Sequence, residues 1–147
     1  MNQPIPILIK YHNQNLAGTI KQVPDSAWID LRAAETVEME AGEFRIISLG
    51  ISVDFPDGYE AHIAPRSSTF KNYGILQTNG VGVVEASYRG ENDVWGFPAL
   101  AMRKTVIHEG DRICQFRIMK QMEPVEFIPV NKMVGQSRGG FGSTGVA

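Results

Sequence analysis

The stretch ISLGISVDFPDGYEAHI, residues 47–63, has an apolar side chain at every second position on each side of a Pro-Asp-Gly turn. Side chains alternate between the two faces of an extended strand, so a period of two is typical of half-buried β-structure. Residues 47–55 therefore predict one strand, residues 56–58 a turn and residues 59–63 a second strand. The two strands are expected to pair as a hairpin.

The same alternation predicts further strands on both sides of this hairpin. Residues 5–11 and 125–130 are predicted to be the first and last strands. Residues 112–118 predict a strand that carries Cys114 on its apolar face, where the thiol is a small core group and not a nucleophile.

Two segments leave the prediction more open. Residues 28–34, which contain Asp30, fit a helical turn and a strand equally poorly. Pro98 has no backbone N–H to donate, so residues 93–102 are expected to form an edge or bulged strand.

Length and composition restrict the class of protein. The 147 residues fit one domain with an ordinary core. A net charge of -2 argues against a protein that coats nucleic acid. Cys114 is the single cysteine, which excludes an intrachain disulfide and suits a reducing compartment. Because no basic leader or long apolar run is evident, we expect a cytoplasmic protein without a membrane span.

A short helix is predicted directly after the second strand of the hairpin. Ser68 is suited to cap its N-terminus, and Gly74 is suited to end it after Tyr73. The backbone amides at such a helix start, together with Arg66, Ser67 and Ser68, would form an anion site. A plain capped turn explains the same residues, so both interpretations stay open.

The stretch NGVGVVEASYRG, residues 79–90, contains a carboxylate without an evident structural purpose. In a strand, Glu85 would share a face with Val81 and Val83. The glycines at positions 80 and 82 let a backbone approach a ligand closely, so two strands joined there would form a slot for a flat ligand. An exposed edge hairpin with Glu85 in solvent is the alternative.

The C-terminal residues 136–147, QSRGGFGSTGVA, differ in composition from the rest of the chain. Such a glycine-rich end is typical of a disordered terminus. Folded over a ligand, it would instead supply Arg138 for phosphates, Phe141 to stack on a base, and hydroxyl and backbone donors. We therefore divide the chain into one domain, residues 1–135, and a flexible arm, residues 136–147.

Taken in order, five segments resemble the motifs of the homotrimeric all-β dUTPase family (dUTP diphosphatase), particularly its shorter bacterial and phage members. Each of the first four is a weak signal alone, whereas all five in order and at compatible spacing are specific. The segments are WIDLRAA (28–34), APRSS (64–68), NGVGVVEASYRG (79–90), GDRICQ (110–115) and RGGFGSTG (138–145).

The resemblance implies a jelly-roll-like β-barrel or sandwich with one short helix, assembled as a homotrimer whose C-terminal arms close over neighbouring active sites. It implies Mg²⁺-assisted attack of water on the α-phosphate of dUTP, which yields dUMP and pyrophosphate. That activity limits uracil incorporation into DNA and supplies dUMP for dTMP synthesis. The triphosphate and waters would hold the metal near Asp30, without a direct protein ligand. No direct binding of nucleic acid is expected.

The resemblance also implies a role for each matching residue. Glu85 stands where the family has the carboxylate that deprotonates the attacking water. Tyr88 would pack on the deoxyribose and leave no room for a ribose 2'-hydroxyl. The phosphates would be held or organised by Arg66, Ser67, Ser68, Gln115 and Arg138. The remaining substrate contacts are expected at Asn79, Gly82, Val84, Phe141, Gly142 and Ser143.

One position departs from the family pattern, because the family almost always has Asp where this chain has Glu85. The extra methylene moves the carboxylate by roughly 1 Å, and such a displacement can cost about a hundredfold in rate. The alternative to an active dUTP diphosphatase is therefore a dUTP-binding protein with little catalytic activity, whose dUTP-bound state is recognised by a protein partner. A dCTP deaminase of the same fold and a structural β-sandwich are further alternatives. No role is predicted for His12, His62 or His108.

Overall fold

The computed structural model describes residues 3–142, which form a nearly all-β fold with one short α-helix, as predicted. At five residues that helix is far too short to cross a membrane, and no other helix in this part of the chain could do so. The elements are β1 (Leu8–Tyr11), a 3₁₀ turn (Gln14–Leu16), β2 (Ile29–Arg32), β3 (Val37–Met39), β4 (Phe44–Ser48), β5 (Ile51–Asp54), β6 (Tyr59–Pro65), α1 (Thr69–Tyr73), β7 (Ile75–Gln77), β8 (Gly82–Glu85), β9 (Gly96–Ala101), β10 (Thr105–Ile107) and β11 (Arg112–Lys120).

The described strands pair antiparallel in four sheets and close no barrel, so the fold is a jelly-roll-like sandwich. The largest sheet has the strand order β2-β11-β6-β8, and a second sheet has the order β4-β9-β7. Two further pairs, β1 with β5 and β3 with β10, complete the pairing. Buried apolar side chains from all four sheets form one core, in which the rings of Trp95 and Phe116 meet edge to face at 5.2 Å.

In the stretch at residues 47–63 every predicted core position except Tyr59 is buried, but Gly50 and Ser52 are buried as well, so burial does not alternate from residue 49 to residue 53. The stretch is also divided differently from the predicted hairpin. The chain bends between β4 and β5 at Gly50, which adopts a φ of +68°. A Cβ at this position would lie 2.5 Å from the Cβ of Ala34, so a side chain there would overlap Ala34. β4 then pairs with β9, whereas β5 pairs with β1. The hairpin predicted for residues 47–63 is wrong, because β6 belongs to a different sheet from β5. A period of two identifies a strand but not its partner.

Pro98 lies in β9, the central strand of its sheet, so the prediction of an edge strand is wrong. Pro98 pairs with Ile46 on one side, and on the other its carbonyl accepts the Thr78 N–H at 3.0 Å. The β7 strand has already ended at Gln77. The missing N–H of proline therefore falls at the end of the β7 ladder, where it interrupts little pairing.

Two other predictions concern residues 28–34 and 125–130. Residues 28–34 contain the strand β2, so the strand interpretation of that segment holds and the helical turn does not. The last strand predicted at residues 125–130 is wrong for the single chain, because this segment pairs with no described strand. Its apolar side chains are more than half exposed, at Val125, Phe127, Ile128 and Val130.

The predicted helix is confirmed in position but not in its capping side chain. α1 begins after Ser68 and ends at Gly74, whose φ of +65° suits glycine. Ser68 makes no side-chain capping hydrogen bond. The adjacent Thr69 anchors the turn instead, because its hydroxyl accepts the Arg66 N–H and donates to the Ile113 carbonyl, both at 2.8 Å.

Candidate active site

The strand β8 forms one edge of the largest sheet and carries the predicted catalytic carboxylate. In register with β6, Gly82 lies opposite Ile63 and Glu85 lies opposite Glu60. Gly82 is buried, whereas Val83 and Glu85 are exposed on the outer face, so the face predicted for Glu85 is confirmed. β7 and β8 are not a hairpin, because β7 pairs with β9 in the other sheet.

A cavity of about 440 Å³ opens beside β8. It brings together five of the predicted site residues, namely Asn79, Gly82, Val84, Glu85 and Tyr88. The sequence did not single out the remaining wall, formed by Ile63, Val83, Ser87, Val94, Trp95 and Gly96. Ser87 lies inside the 79–90 motif, whereas Trp95 reaches the cavity from the segment before β9, which local sequence does not reveal.

The amide groups at the turn before β8 fix one end of this cavity. Gln77 Nε2 donates to the Ile63 carbonyl at 3.0 Å and to Asn79 Oδ1 at 2.9 Å. The Asn79 Nδ2 group therefore remains available as a donor, with no hydrogen-bond partner among residues 3–142. A Cβ at Gly82 would lie 3.2 Å from the Ile63 Cβ, so a side chain there would crowd the turn and the strand beneath it.

Tyr88 forms the opposite wall of the cavity. Its N–H donates to the Glu85 carbonyl at 3.0 Å, and its hydroxyl donates to the Val94 carbonyl at 3.2 Å. These two bonds hold the ring beside Glu85, while 43% of the residue stays exposed. The Glu85 carboxylate itself has no hydrogen-bond or ion-pair partner within the described part of the chain.

A second cluster surrounds Asp30 on β2. Asp30 Oδ1 lies 3.2 Å from Arg66 Nε, and Oδ2 lies 3.3 Å from Arg112 Nη1. Asp30 therefore pairs with both arginine side chains. Gln115 Nε2 donates to the Pro65 carbonyl at 3.0 Å beside the same cluster. Arg112 belongs to the GDRICQ segment, so that motif could have identified it.

A cavity of about 370 Å³ adjoins this cluster and has a basic lining. Lys21, Arg32 and Arg112 face it against the single carboxylate of Asp30. Burial raises the pKa of the nearby Cys114 thiol, and the negative charge of Asp30 raises it further by a smaller amount. Of the other predicted phosphate contacts, Ser67 is exposed and Ser68 is half-buried at the start of α1. This surface is suited to an anion.

The two cavities lie at opposite edges of one sheet. Asp30 is on β2 and Glu85 is on β8, with β11 and β6 between them. Three strand spacings separate these edges, or roughly 14 Å. A single chain therefore does not bring the carboxylate at Glu85 to the cationic groups at Arg66 and Arg112.

The described arm residues line neither cavity in the single chain. Arg138, Phe141 and Gly142 are exposed, and no residue of the described part of the chain covers the phenyl ring of Phe141. Gly139 and Gly142 have positive φ values of +81° and +78°. Ser143, also predicted to contact the substrate, lies outside the described residues.

Among residues 3–142, no three His, Cys, Asp or Glu side chains converge as a metal site. Asp30, the carboxylate predicted to lie near a metal, is engaged through both oxygens by arginines.

Comparison with known proteins supplies the family. The family profile for dUTPase matches residues 15–145. The chain belongs to the dUTPase family. A relative from Bacillus subtilis, the SPbeta prophage-derived deoxyuridine 5'-triphosphate nucleotidohydrolase YosS, is 52% identical over 139 residues, which cover 95% of this chain and 97% of the relative. The deoxyuridine 5'-triphosphate nucleotidohydrolase of Maricaulis maris is 38% identical, with 96% and 97% covered.

Solved dUTPase structures share the fold. The dUTPase of Staphylococcus bacteriophage 80alpha with dUPNHPP superposes with a TM-score of 0.75 at 22% identity, over 96% of this chain and 99% of that one. The dUTPase of Streptococcus mutans gives a TM-score of 0.71 at 23% identity, over 82% and 98%. The jelly-roll-like dUTPase fold expected from the five motifs is therefore confirmed.

Proposed function

We propose that this protein is a dUTP diphosphatase, which hydrolyses dUTP to dUMP and pyrophosphate. Such an activity limits uracil incorporation into DNA and supplies dUMP for dTMP synthesis. The observation that carries the proposal is the unpaired Glu85 carboxylate on the wall of a cavity that also contains Asn79 and Tyr88. The 52% identical relative is named as a nucleotidohydrolase, which favours catalysis over the alternative of a binding protein.

The cavity beside β8 is the proposed uracil and deoxyribose pocket. Asn79 Nδ2 and the main-chain groups at Gly82 and Val84 would pair with the base edge. A cytosine amino group would reverse one of those hydrogen bonds and leave a buried polar group unpaired, which supplies the discrimination. Tyr88, held by its bond to the Val94 carbonyl, would pack against the sugar and exclude a ribose hydroxyl.

The basic surface around Asp30 is the proposed phosphate site. Arg66, Ser67, Ser68 and Gln115 would hold or organise the phosphates there. The distance of roughly 14 Å between the two edges of the sheet supports a site shared between subunits, because one chain presents only half of it on each edge. The arm would add Arg138, Phe141, Gly142 and Ser143 from a further subunit.

Uncovered apolar surface supports the proposed homotrimer. On the outer face of the β4-β9-β7 sheet, Phe44 and Ile46 are more than half exposed beside Leu76. Cross-strand pairing places Leu100 next to Phe44 and Leu76, and Pro98 next to Ile46. A contiguous apolar patch of this kind is typical of an interface. The exposed apolar segment at residues 122–134, which precedes the arm, offers further apolar surface that a neighbouring subunit would bury.

Magnesium is the proposed cofactor, held chiefly by the triphosphate. Mg²⁺ prefers oxygen ligands and keeps several waters when it binds. It commonly binds through substrate phosphates and one or two carboxylates, so it does not require a full set of protein ligands. Asp30 would hold waters of that metal while its side chain orients Arg66. When bound, the ion would neutralise charge on the phosphates. A structural Mg(II) ion is described for the dUTPase of phage phi11 of S. aureus.

The proposed chemistry is a single displacement at the α-phosphorus. A water oxygen bonds to the α-phosphorus while the bond from that phosphorus to the bridging oxygen of pyrophosphate breaks. Glu85 accepts the proton that the water gives up. Arg66 and Arg138 stabilise the charge on the leaving pyrophosphate, and closure of Phe141 over the base excludes bulk water. Cytoplasmic placement is proposed with this activity, supported by the free, buried thiol of Cys114.

The test is release of pyrophosphate from dUTP in the presence of Mg²⁺, compared with dCTP, dTTP and UTP. We expect cleavage of dUTP alone, and a loss of about 10² to 10⁴ in kcat for Glu85→Gln with dUMP binding retained. Binding of dUTP without pyrophosphate release would favour the weakened binding protein, and ammonia from dCTP would favour a deaminase.

A further inference from the structure

The outer face of the largest sheet presents a second carboxylate directly across from Glu85. Glu60 on β6 is the register partner of Glu85 on β8. Directly opposite residues of an antiparallel pair point to the same face, with Cβ atoms about 5 Å apart. Two like charges in this relation repel each other, so an unrestrained Glu60 would compete with Glu85 for the same space and the same proton donors.

His62 restrains that carboxylate. It follows Glu60 by two residues on β6, so both side chains lie on the outer face, and His62 Nε2 is in short contact with Glu60 Oε2. A carboxylate at neutral pH only accepts hydrogen bonds, so the imidazole donates whether it is neutral or charged. The contact draws Glu60 along its own strand. Each of the two side chains is 27% exposed, so the pair is shielded but not buried.

The other groups on this face leave His62 as the partner of Glu60. Arg117 on β11 is the register neighbour of His62, but its guanidinium lies 5.8 Å from the ring centroid of Trp28, on the side away from β6. Met119, opposite Glu60 on β11, is uncharged, as is Val83, opposite His62 on β8. Within the described part of the chain, Glu60 forms an ion pair with His62 alone.

We propose that His62 is a positioning residue for hydrolysis, because it holds the Glu60 carboxylate away from Glu85 and leaves Glu85 free to engage the attacking water. This role rests on the proposed function of Glu85. A partly exposed pair of this kind adds little to folding stability, so its effect is expected in catalysis rather than in the fold. Histidine spacing alone gives no reason to expect it.

The experiment measures kcat and KM for dUTP in His62→Leu, Glu60→Gln and the double variant. Leucine frees the Glu60 carboxylate, and we expect kcat to fall about tenfold with KM within about twofold, because a small displacement of the base affects the chemical step. Glutamine at position 60 removes the charge, so the double variant recovers kcat to within about threefold of the unaltered protein. If His62→Leu lowered kcat only through lost packing, adding Glu60→Gln would not restore kcat.

Matched variants complete the test. His108→Leu removes an exposed histidine outside the sheet that contains β8 and should leave kcat unchanged, whereas His62→Gln retains a donor and should keep most of the activity. If His62→Leu lowers the melting temperature, His62→Asn replaces it as the test variant. Its amide is polar but too short to reach Glu60, so the same fall in kcat is expected.

Unchanged kcat in His62→Leu and His62→Asn, or a loss that Glu60→Gln does not recover, would overturn the role of His62 alone. Glu85→Gln in the same assay separates the two proposals. If the unaltered protein releases no pyrophosphate from dUTP, the proposed function is overturned, and the role of His62 with it.

Discussion

Asp30 and Glu85 occupy the two edge strands of one four-stranded sheet, β2 and β8, with β11 and β6 between them. The cationic cluster around Asp30 and the proposed catalytic carboxylate of Glu85 therefore belong to different edges of each subunit. Around a closed ring of identical subunits, one edge of a subunit meets the other edge of its neighbour, which can assemble a complete site at each interface.

The first prediction is that two inactive variants complement each other. Glu85→Gln and Arg66→Ala should each be inactive alone. When the two are unfolded, mixed in equal amounts and refolded together, about one quarter of the sites receive Glu85 from one subunit and Arg66 from another. Pyrophosphate release should then recover to about a quarter of that of the unaltered protein. A mixture as inactive as its components would place both groups in the same subunit's site.

The second prediction concerns the length of the Glu85 side chain, the proposed general base. We expect Glu85→Asp to lower kcat, by up to about a hundredfold, because the cavity beside β8 has formed around the longer carboxylate and a 1 Å retreat misplaces the base. Affinity for dUMP should change little, which calorimetric titration would establish. A rise in kcat would instead show that glutamate weakens the enzyme.

The third prediction concerns the arm. Deleting residues 136–147 should leave the melting temperature within about 2 °C, because the described residues of this segment bury no side chain in their own subunit. It should lower kcat/KM by at least about a hundredfold through loss of Arg138 and Phe141. Arg138→Ala should reproduce part of this loss, whereas Lys132→Ala, a nearby exposed cation, should not. Equal losses in kcat/KM for Arg138→Ala and Lys132→Ala would indicate that any positive charge in this region has the same effect, and not a specific role of Arg138.

The fourth prediction tests the bend between β4 and β5. Gly50 and Gly58 both have positive φ, at +68° and +90°, but a Cβ at position 50 would lie 2.5 Å from the Ala34 Cβ, whereas none of the surroundings of Gly58 lies within 4 Å. Gly58→Ala should cost about 1 kcal/mol from backbone strain alone, and Gly50→Ala at least about 2 kcal/mol more. Urea unfolding measures both, and equal costs would show that the overlap is relieved without strain.

The fifth prediction uses the pKa of Cys114, which burial raises well above its usual value, with a smaller contribution from Asp30. Because the folded pKa lies above the unfolded value, the neutral thiol contributes stability that is complete below about pH 8.5 and declines as the unfolded thiol ionises. Between pH 7 and pH 10 the unaltered protein should lose about 2 kcal/mol more than Cys114→Ala. Parallel stability curves for the two proteins would contradict this.

Local sequence determined most of the strand segments and supplied most residues of the proposed site. Alternating apolar residues identified the strand segments, and Gly74 marked the end of α1, because strand period and left-handed backbone are properties of neighbouring residues. The 79–90 motif contained Asn79, Gly82, Val84, Glu85 and Tyr88, which the structure brings into one cavity. For the same reason the face of Glu85 was predictable from its spacing to Val83.

Only the tertiary structure decided which strands pair and which charges meet. Residues 47–63 do not form a hairpin, because β5 and β6 find their partners in different sheets, far away in sequence. The neighbours of Glu85 include Trp95 and Glu60, whose approach depends on sheet register and not on local pattern. The segment at 125–130 has the composition of a strand but no partner among residues 3–142 of its own chain. Pairing is a long-range choice set by the packing of the whole core, whereas periodicity reports only which side of a strand is buried.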